Sequence, residues 1–154
     1  MKLVIIAVGR LKESFWREAA EEYKKRISPH ASCVIEEVTD EPDIGPSHIV
    51  KQVEAKRIVT KLKDRDYIVA LDVAGRRMST EAFADHVKGV QAEGYGRYVF
   101  IIGGSVGLDD SVLHRADLRL SFSDFTFPHQ LMRVILLEQL YRAFRIHTGA
   151  PYHK

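Results

Sequence analysis

Apolar residues in this chain come in short runs separated by polar, helix-period stretches. Lys2 to Val8 is a continuous apolar run and predicts a buried strand, closed by a turn over Gly9 to Lys12. Phe15, Ala19, Tyr23 and Ile27 then recur four apart among Glu and Lys, which predicts an amphipathic helix over Ser14 to Ile27. A second strand is expected over Ala31 to Val38. The stretch from Thr39 to Ser47 holds two prolines, a glycine and three acids, and reads as an exposed connection within one domain. From Ser47 to about Lys63 the pattern is helical again, with Ile49, Val53 and Leu62 expected on the inner side.

Tyr67 to Asp72 is nearly unbroken in apolar residues, as a strand covered on both faces should be, and Gly75 turns the chain after it. Ser79 is a good N-cap for a helix reaching about Val90, with Glu81 in its positive first turn. Tyr98 to Ile102 predicts a fourth strand, followed by Gly103-Gly104-Ser105-Val106-Gly107 and a short helix from Asp110 to about Ala116. The alternation Leu118, Leu120, Phe122 predicts a fifth strand. The last helix spans His129 to His147 and is stopped by Gly149. Strands alternating with helices predict an α/β fold with a mostly parallel sheet of about five strands and helices on both faces. Ligands in such sheets sit outside the carboxyl ends of the strands. The last helix spreads Leu131, Val134, Leu137, Tyr141, Phe144 and other apolar residues around most of its circumference. Its surplus face predicts a homodimer, with Leu137 and Phe144 expected to matter for it.

A length of 154 residues fits one domain that buries about 70% of its unfolded surface. Residues 1 to 8 are too short for a secretory signal and no run approaches about 18 apolar residues, so a cytoplasmic protein with no membrane partner is expected. Cys33 is the single cysteine, which excludes an internal disulfide, and its place in a strand favours an inert thiol. Charge is uneven. Residues 1–114 carry 17 basic and 18 acidic groups, whereas 115–154 carry 6 and 3, a weak pointer to a phosphate-bearing partner near the C-terminal end.

The Gly-Gly-Ser-Val-Gly turn after the fourth strand lets a small molecule approach exposed amides. It is no dinucleotide fingerprint, because that motif follows a first strand, and no Gly-Lys-Ser/Thr triplet is present. The loop from Ser121 to Pro128 is aromatic where loops are usually polar. Phe122, Phe125 and Phe127 sit among Ser121, Ser123 and Thr126, which suits either a wall for a flat heterocycle or a plug for the core beneath. The seven histidines show no metal-ligand spacing, so no metal is expected. No Gly-x-Ser-x-Gly elbow or Cys/His pair offers a covalent nucleophile, which favours chemistry that aligns two bound reactants.

Several motifs in order closely resemble the ribosomal RNA large subunit methyltransferase H family of the SPOUT superfamily. They are Gly103-Gly104-x-x-Gly107-Leu108, Ser121-Phe-Ser-Asp-Phe-Thr-Phe-Pro-His129, Leu131-x-Arg133-Val134-x-Leu136-x-Glu138-Gln-Leu-Tyr-Arg-Ala143, and Pro151-Tyr152-His153. The likeness extends to Met-Lys-Leu with Val8-Gly9 and to Leu71-Asp72 with Gly75. The resemblance implies a homodimer with a C-terminal trefoil knot that uses S-adenosyl-L-methionine to methylate N3 of a pseudouridine in 23S ribosomal RNA of the assembled ribosome. It implies a cofactor site at Leu71, Gly103, Phe122, Ser123, Asp124, Phe125, Thr126 and Phe127. His129, Tyr152 and His153 are candidate acid-base or positioning groups, and Arg133 and Arg142 are candidates to stabilise a developing anion. A SPOUT methyltransferase of another RNA such as transfer RNA, and a non-catalytic ribosome-binding factor, are the alternatives.

Overall fold

A computed structural model describes residues 1–154. Five strands form one sheet: β1 (Lys2–Val8), β2 (Ser32–Val38), β3 (Asp66–Arg77), β4 (Arg97–Ile102) and β5 (Leu118–Ser121). Their order is β2-β1-β4-β3-β5 and every pairing is parallel. The helices are α1 (Ser14–Ile27), α2 (Ser47–Val59), α3 (Thr80–Ala92), the single turn α4 (Asp110–Leu113) and α5 (His129–His147).

Strand periodicity sorts the core into two layers. Leu3, Ile5, Ala7, Val69, Phe100, Ile102 and Leu120 meet side chains of α1, α3 and α5, such as Ile27, Phe83, Val87, Leu136 and Leu140. Val4, Ile6, Val8, Ile68, Val99 and Ile101 face the other way, onto Ala55, Ile58 and Val112 of α2 and α4. Burial of each large aliphatic or aromatic side chain here stabilises the fold by about 1.5–3 kcal/mol. At the amino ends of the strands, Arg97 donates from Nε and Nη2 to the two carboxylate oxygens of buried Asp66, at 2.8 and 2.7 Å.

Three expectations change. The inner side of α2 is Val50, Glu54, Ala55 and Ile58, whereas Ile49 is exposed, and the helix ends at Val59. The apolar pattern missed this face because it includes a buried carboxyl group. Second, β3 does not stop at Asp72. It bulges over Asp72–Gly75 and resumes, so that Leu120 of β5 pairs with both Leu71 and Arg76. The bulge crosses β5 so closely that a Cβ on Gly75 would lie 2.7 Å from the Arg119 carbonyl carbon and oxygen. Third, Leu137 and Phe144 are buried in the chain's own core between α5 and the sheet, not on a surplus face. The half-exposed stripe of α5 runs instead through Leu131, Val134, Glu138 and Tyr141.

Candidate functional site

The carboxyl ends of β3, β4 and β5 open into a cleft of about 840 Å³. One wall is the turn after β4. Gly107 N donates to Gly104 O at 3.1 Å, and Gly107 holds φ +82°, a left-handed conformation suited to glycine. A Cβ on Gly103 would sit 2.9 Å from the Gly107 carbonyl carbon, so the turn closes only around a bare backbone. A Cβ on Gly104 would press on Val8 and on the carboxyl of Glu54.

The opposite wall is the aromatic loop after β5. Ser121 Oγ donates to Ser123 O at 3.1 Å, and Phe125 N donates to Ser123 Oγ at 3.0 Å, a local side-chain turn that fixes the loop. The three phenylalanines separate into two roles. Phe122 meets Phe83 of α3 edge-on, with ring centroids 6.2 Å apart, and so helps plug the core. Phe125 and Phe127 stay exposed, Phe125 by 76%, and present flat apolar surface at the cleft.

Leu71, Gly103, Phe122, Ser123, Phe125, Thr126 and Phe127 all line the cleft. Asp124 does not; its carboxylate turns outward onto the guanidinium of Arg77. The site also includes Asp72 from the β3 bulge, which lies in a motif but has no role expected of it, and residues that no motif marks: Lys51 from α2, and Gln130 and Met132 from the first turn of α5. Lys51 has a helical position with no local signature, and only tertiary packing brings α2 alongside.

The candidate acid-base residues fall into separate places. His129 begins α5 inside the cleft, with Cε1 3.4 Å from where a Gly9 Cβ would stand. Its Nδ1 is buried without a hydrogen-bond partner. Burial, helped by the nearby positive Arg133, holds its imidazole below the ordinary histidine range, so the ring is neutral near pH 7.

Arg133 does not face the cleft. It is 1% exposed, donates from Nη1 to Glu37 Oε2 at 2.7 Å and from Nη2 to Gly9 O at 3.3 Å, and so ties α5 to the ends of β1 and β2. A charge committed in this way braces the fold and has no free edge for a reacting group.

Arg142, Tyr152 and His153 gather around Glu138, a residue of the α5 motif for which the sequence alone suggests no role. Tyr152 Oη donates to Glu138 Oε1 at 3.0 Å, Arg142 Nη2 donates to the same oxygen at 2.7 Å, and the Arg142 guanidinium lies 4.6 Å from the Tyr152 ring centroid. His153 bridges Arg142 and Glu81 of α3, its Nε2 2.8 Å from Glu81 Oε1. Burial and the bond to Glu138 push the Tyr152 phenol above its ordinary range, so it stays protonated as a donor. No member of this cluster lines the cleft. Arg142 lies thirteen residues beyond His129 on α5, about 20 Å along the helix axis.

Cys33 takes no part. Burial raises its thiol to about 11, which leaves it protonated and unreactive. No group of three or more His, Cys, Asp or Glu side chains is assembled to hold a metal ion. No helix is long and apolar enough to cross a membrane.

Comparison with known proteins places this architecture. Residues 1–153 match the family described as "Predicted SPOUT methyltransferase". Proteins named ribosomal RNA large subunit methyltransferase H are similar over the whole of both chains, that of Clostridium kluyveri at 48% identity and those of Clostridium botulinum (strain Okra) and Carboxydothermus hydrogenoformans at 46%. A solved structure of a probable methylase family protein from Haemophilus influenzae shares the fold, with a TM-score of 0.56 at 13% identity over 99% of this chain and 70% of that one. The chain thus belongs to the SPOUT methyltransferase family.

Proposed function

We propose that this methyltransferase acts on 23S ribosomal RNA, at N3 of a pseudouridine in the assembled ribosome, and uses S-adenosyl-L-methionine. The observation that carries the reading is the cleft. An apolar aromatic loop faces a glycine turn with no room for a side chain at Gly103, at the carboxyl ends of a parallel sheet, in a chain similar from end to end to ribosomal RNA methyltransferases.

The residues present fit an adenosyl group. Phe125 and Phe127 offer flat apolar surface to the base, and the backbones at Leu71, Gly103, Ser123 and Thr126 offer donors and acceptors to its polar edges. When bound, S-adenosyl-L-methionine supplies an electrophilic methyl group. The protein must hold the target base in line with it and assist departure of the weakly acidic N3 proton. Arg142, a fixed positive charge, suits stabilisation of the base's anion, and Tyr152, which keeps hydroxyl lone pairs after donating its proton to Glu138, suits orientation of the base, with His153 beside them bridging Arg142 and Glu81. Glu138 holds Tyr152 and Arg142 in register.

None of these groups lines the cleft of its own chain, and Arg142 stands about 20 Å along α5 from His129. This separation supports a homodimer in which the tail of one copy completes the cleft of the other, with the Leu131–Val134–Tyr141 stripe of α5 at the contact.

The test is methyl transfer from labelled S-adenosyl-L-methionine to ribosomes lacking the modification, with free ribosomal RNA and transfer RNA in parallel. Label at N3 of a pseudouridine on intact ribosomes is expected. Label on transfer RNA would overturn the substrate, and cofactor binding with no label on any RNA would point to a binding factor.

A further inference from the structure

The turn between β1 and α1 stands beside the cleft and is held with more care than an ordinary surface turn. Arg133, itself buried, donates to Gly9 O, and it holds Glu37, whose Oε2 accepts from Leu11 N at 3.2 Å. From the other side, Arg17 Nη1 donates to Leu11 O at 3.0 Å and also reaches Lys12 O. Leu11 packs against the core, so the alternation along the turn sends Arg10 and Lys12 outward. Both are exposed, and neither has an acidic partner or a hydrogen bond from its side chain. Gly9 lies next to His129 of the cleft, where a Cβ on it would stand 3.4 Å from Cε1.

Just beyond the turn, Phe15 is 58% exposed and its ring lies 4.9 Å from that of Trp16. An exposed aromatic beside unpaired cations is poor design for a surface that meets only water. It matches the chemistry of single-stranded nucleic acid, where phosphates need cations and unstacked bases need flat apolar faces. Glu13 and Glu18 reduce the segment Gly9–Glu18 to a net charge of +1, and its cationic character is concentrated in the turn.

We propose that Arg10, Lys12 and Phe15 form the RNA-contacting lip of the cleft. Arg10 and Lys12 pair with backbone phosphates next to the target nucleotide, and Phe15 stacks on an unpaired base. The role of Arg133 follows from this. It acts as a positioning residue that fixes the lip relative to His129 and the cleft. The proposal rests on an RNA substrate for the cleft.

The experiment measures binding of the full chain to unmodified ribosomes between 50 and 200 mM salt, with cofactor affinity measured separately by calorimetry. The variants are Arg10→Ala with Lys12→Ala, Phe15→Ala, and a control, Lys61→Ala with Lys63→Ala, which removes the same charge at the amino-end edge of the sheet. The first pair is expected to weaken binding about tenfold and to lower the slope of log affinity against log salt by about 1.4–1.8, the loss of two phosphate contacts. Phe15→Ala should weaken it by about tenfold with the slope unchanged, through lost stacking. Cofactor affinity should not move in any of them.

Wild-type affinity and slope in the Arg10/Lys12 variant, an equal loss in the control, or conversion of Phe15→Ala from dimer to monomer would each overturn the proposal. The last would make the patch a contact between copies. If the unaltered protein binds no ribosome at all, it is the RNA reading of the cleft that fails.

Discussion

Arg133 and Glu37 stand 96 residues apart in the chain and meet at 2.7 Å beneath the cleft, where Arg133 is almost entirely enclosed and Glu37 reaches solvent. The pair joins the first turn of α5 to the carboxyl end of β2. Loss of the carboxylate leaves a buried guanidinium with one backbone acceptor, Gly9 O, and an already unpaired Nε. Glu37→Ala should therefore destabilise the protein by about 2–4 kcal/mol in urea unfolding. Arg133→Met removes charge and desolvation cost together and should cost less.

The proposed dimer separates two kinds of α5 substitution. Leu131→Glu or Val134→Glu, on the half-exposed stripe, should give a folded monomer by sedimentation with little methyl transfer, whereas Leu137→Glu should unfold the chain because Leu137 is completely enclosed. A composite site also permits complementation. Gly103→Val, which blocks the glycine turn, and Tyr152→Ala, which breaks the tail cluster, should each be inactive alone. Their mixed dimers carry one intact site, so a remixed equal mixture should recover about a quarter of the wild-type rate. Absence of any recovery would argue that each chain completes its own site.

Two glycines predict opposite effects from the same substitution. Gly75→Ala would force a methyl to 2.7 Å from backbone atoms of Arg119, and should lower stability by about 3 kcal/mol or more by prising β5 from the β3 bulge. Gly89 lies inside α3 with open space where its Cβ would be, so Gly89→Ala should raise stability by about 0.5–1 kcal/mol. Thermal melts of the two variants against wild type decide both.

The lowered titration of His129 has a definite sign. An unfolded histidine takes up its proton near pH 6.5, while the folded ring resists until lower pH. The stability linked to His129 is therefore present above about pH 6.5 and is lost as pH falls through the folded value. His86, lowered mainly by burial and then by Arg76, acts in the same direction. Between pH 7 and 5 the unfolding free energy of His129→Phe should fall less steeply than that of wild type, and the ring resonances of His129 should titrate below 6.5 in NMR.

Most of the fold was legible because strands covered on both faces, such as Tyr98–Ile102, write themselves as unbroken apolar runs. The two walls of the cleft were legible too, since bare glycines and an aromatic loop are local features. What failed was whatever depends on a distant partner. Arg133 looked available in sequence because nothing near it announces Glu37, and Asp124 is likewise spent on Arg77. The continuation of β3 to Arg77 is polar and pairs only along β5, so no apolar period marks it. Glu54 concealed the inner face of α2. It is 4% exposed, with Oε2 accepting from Glu41 N and Oε1 unpartnered, and no pattern reading places a carboxyl there.

The bulge of β3 closed over β5 also bears on the order of events during synthesis. Leu71 and Asp72 leave the ribosome early, yet the wall they form faces a second wall built from Leu120 to Met132, near the end of the chain. A nascent chain that stops before that point has a glycine turn and no opposing loop, and Leu71 to Arg77 then has no β5 to grip. On the proposed reading, cofactor binding therefore requires both walls and so a chain that extends through Met132. Added cofactor should rescue unstable full-length variants from degradation while leaving C-terminally truncated ones unprotected.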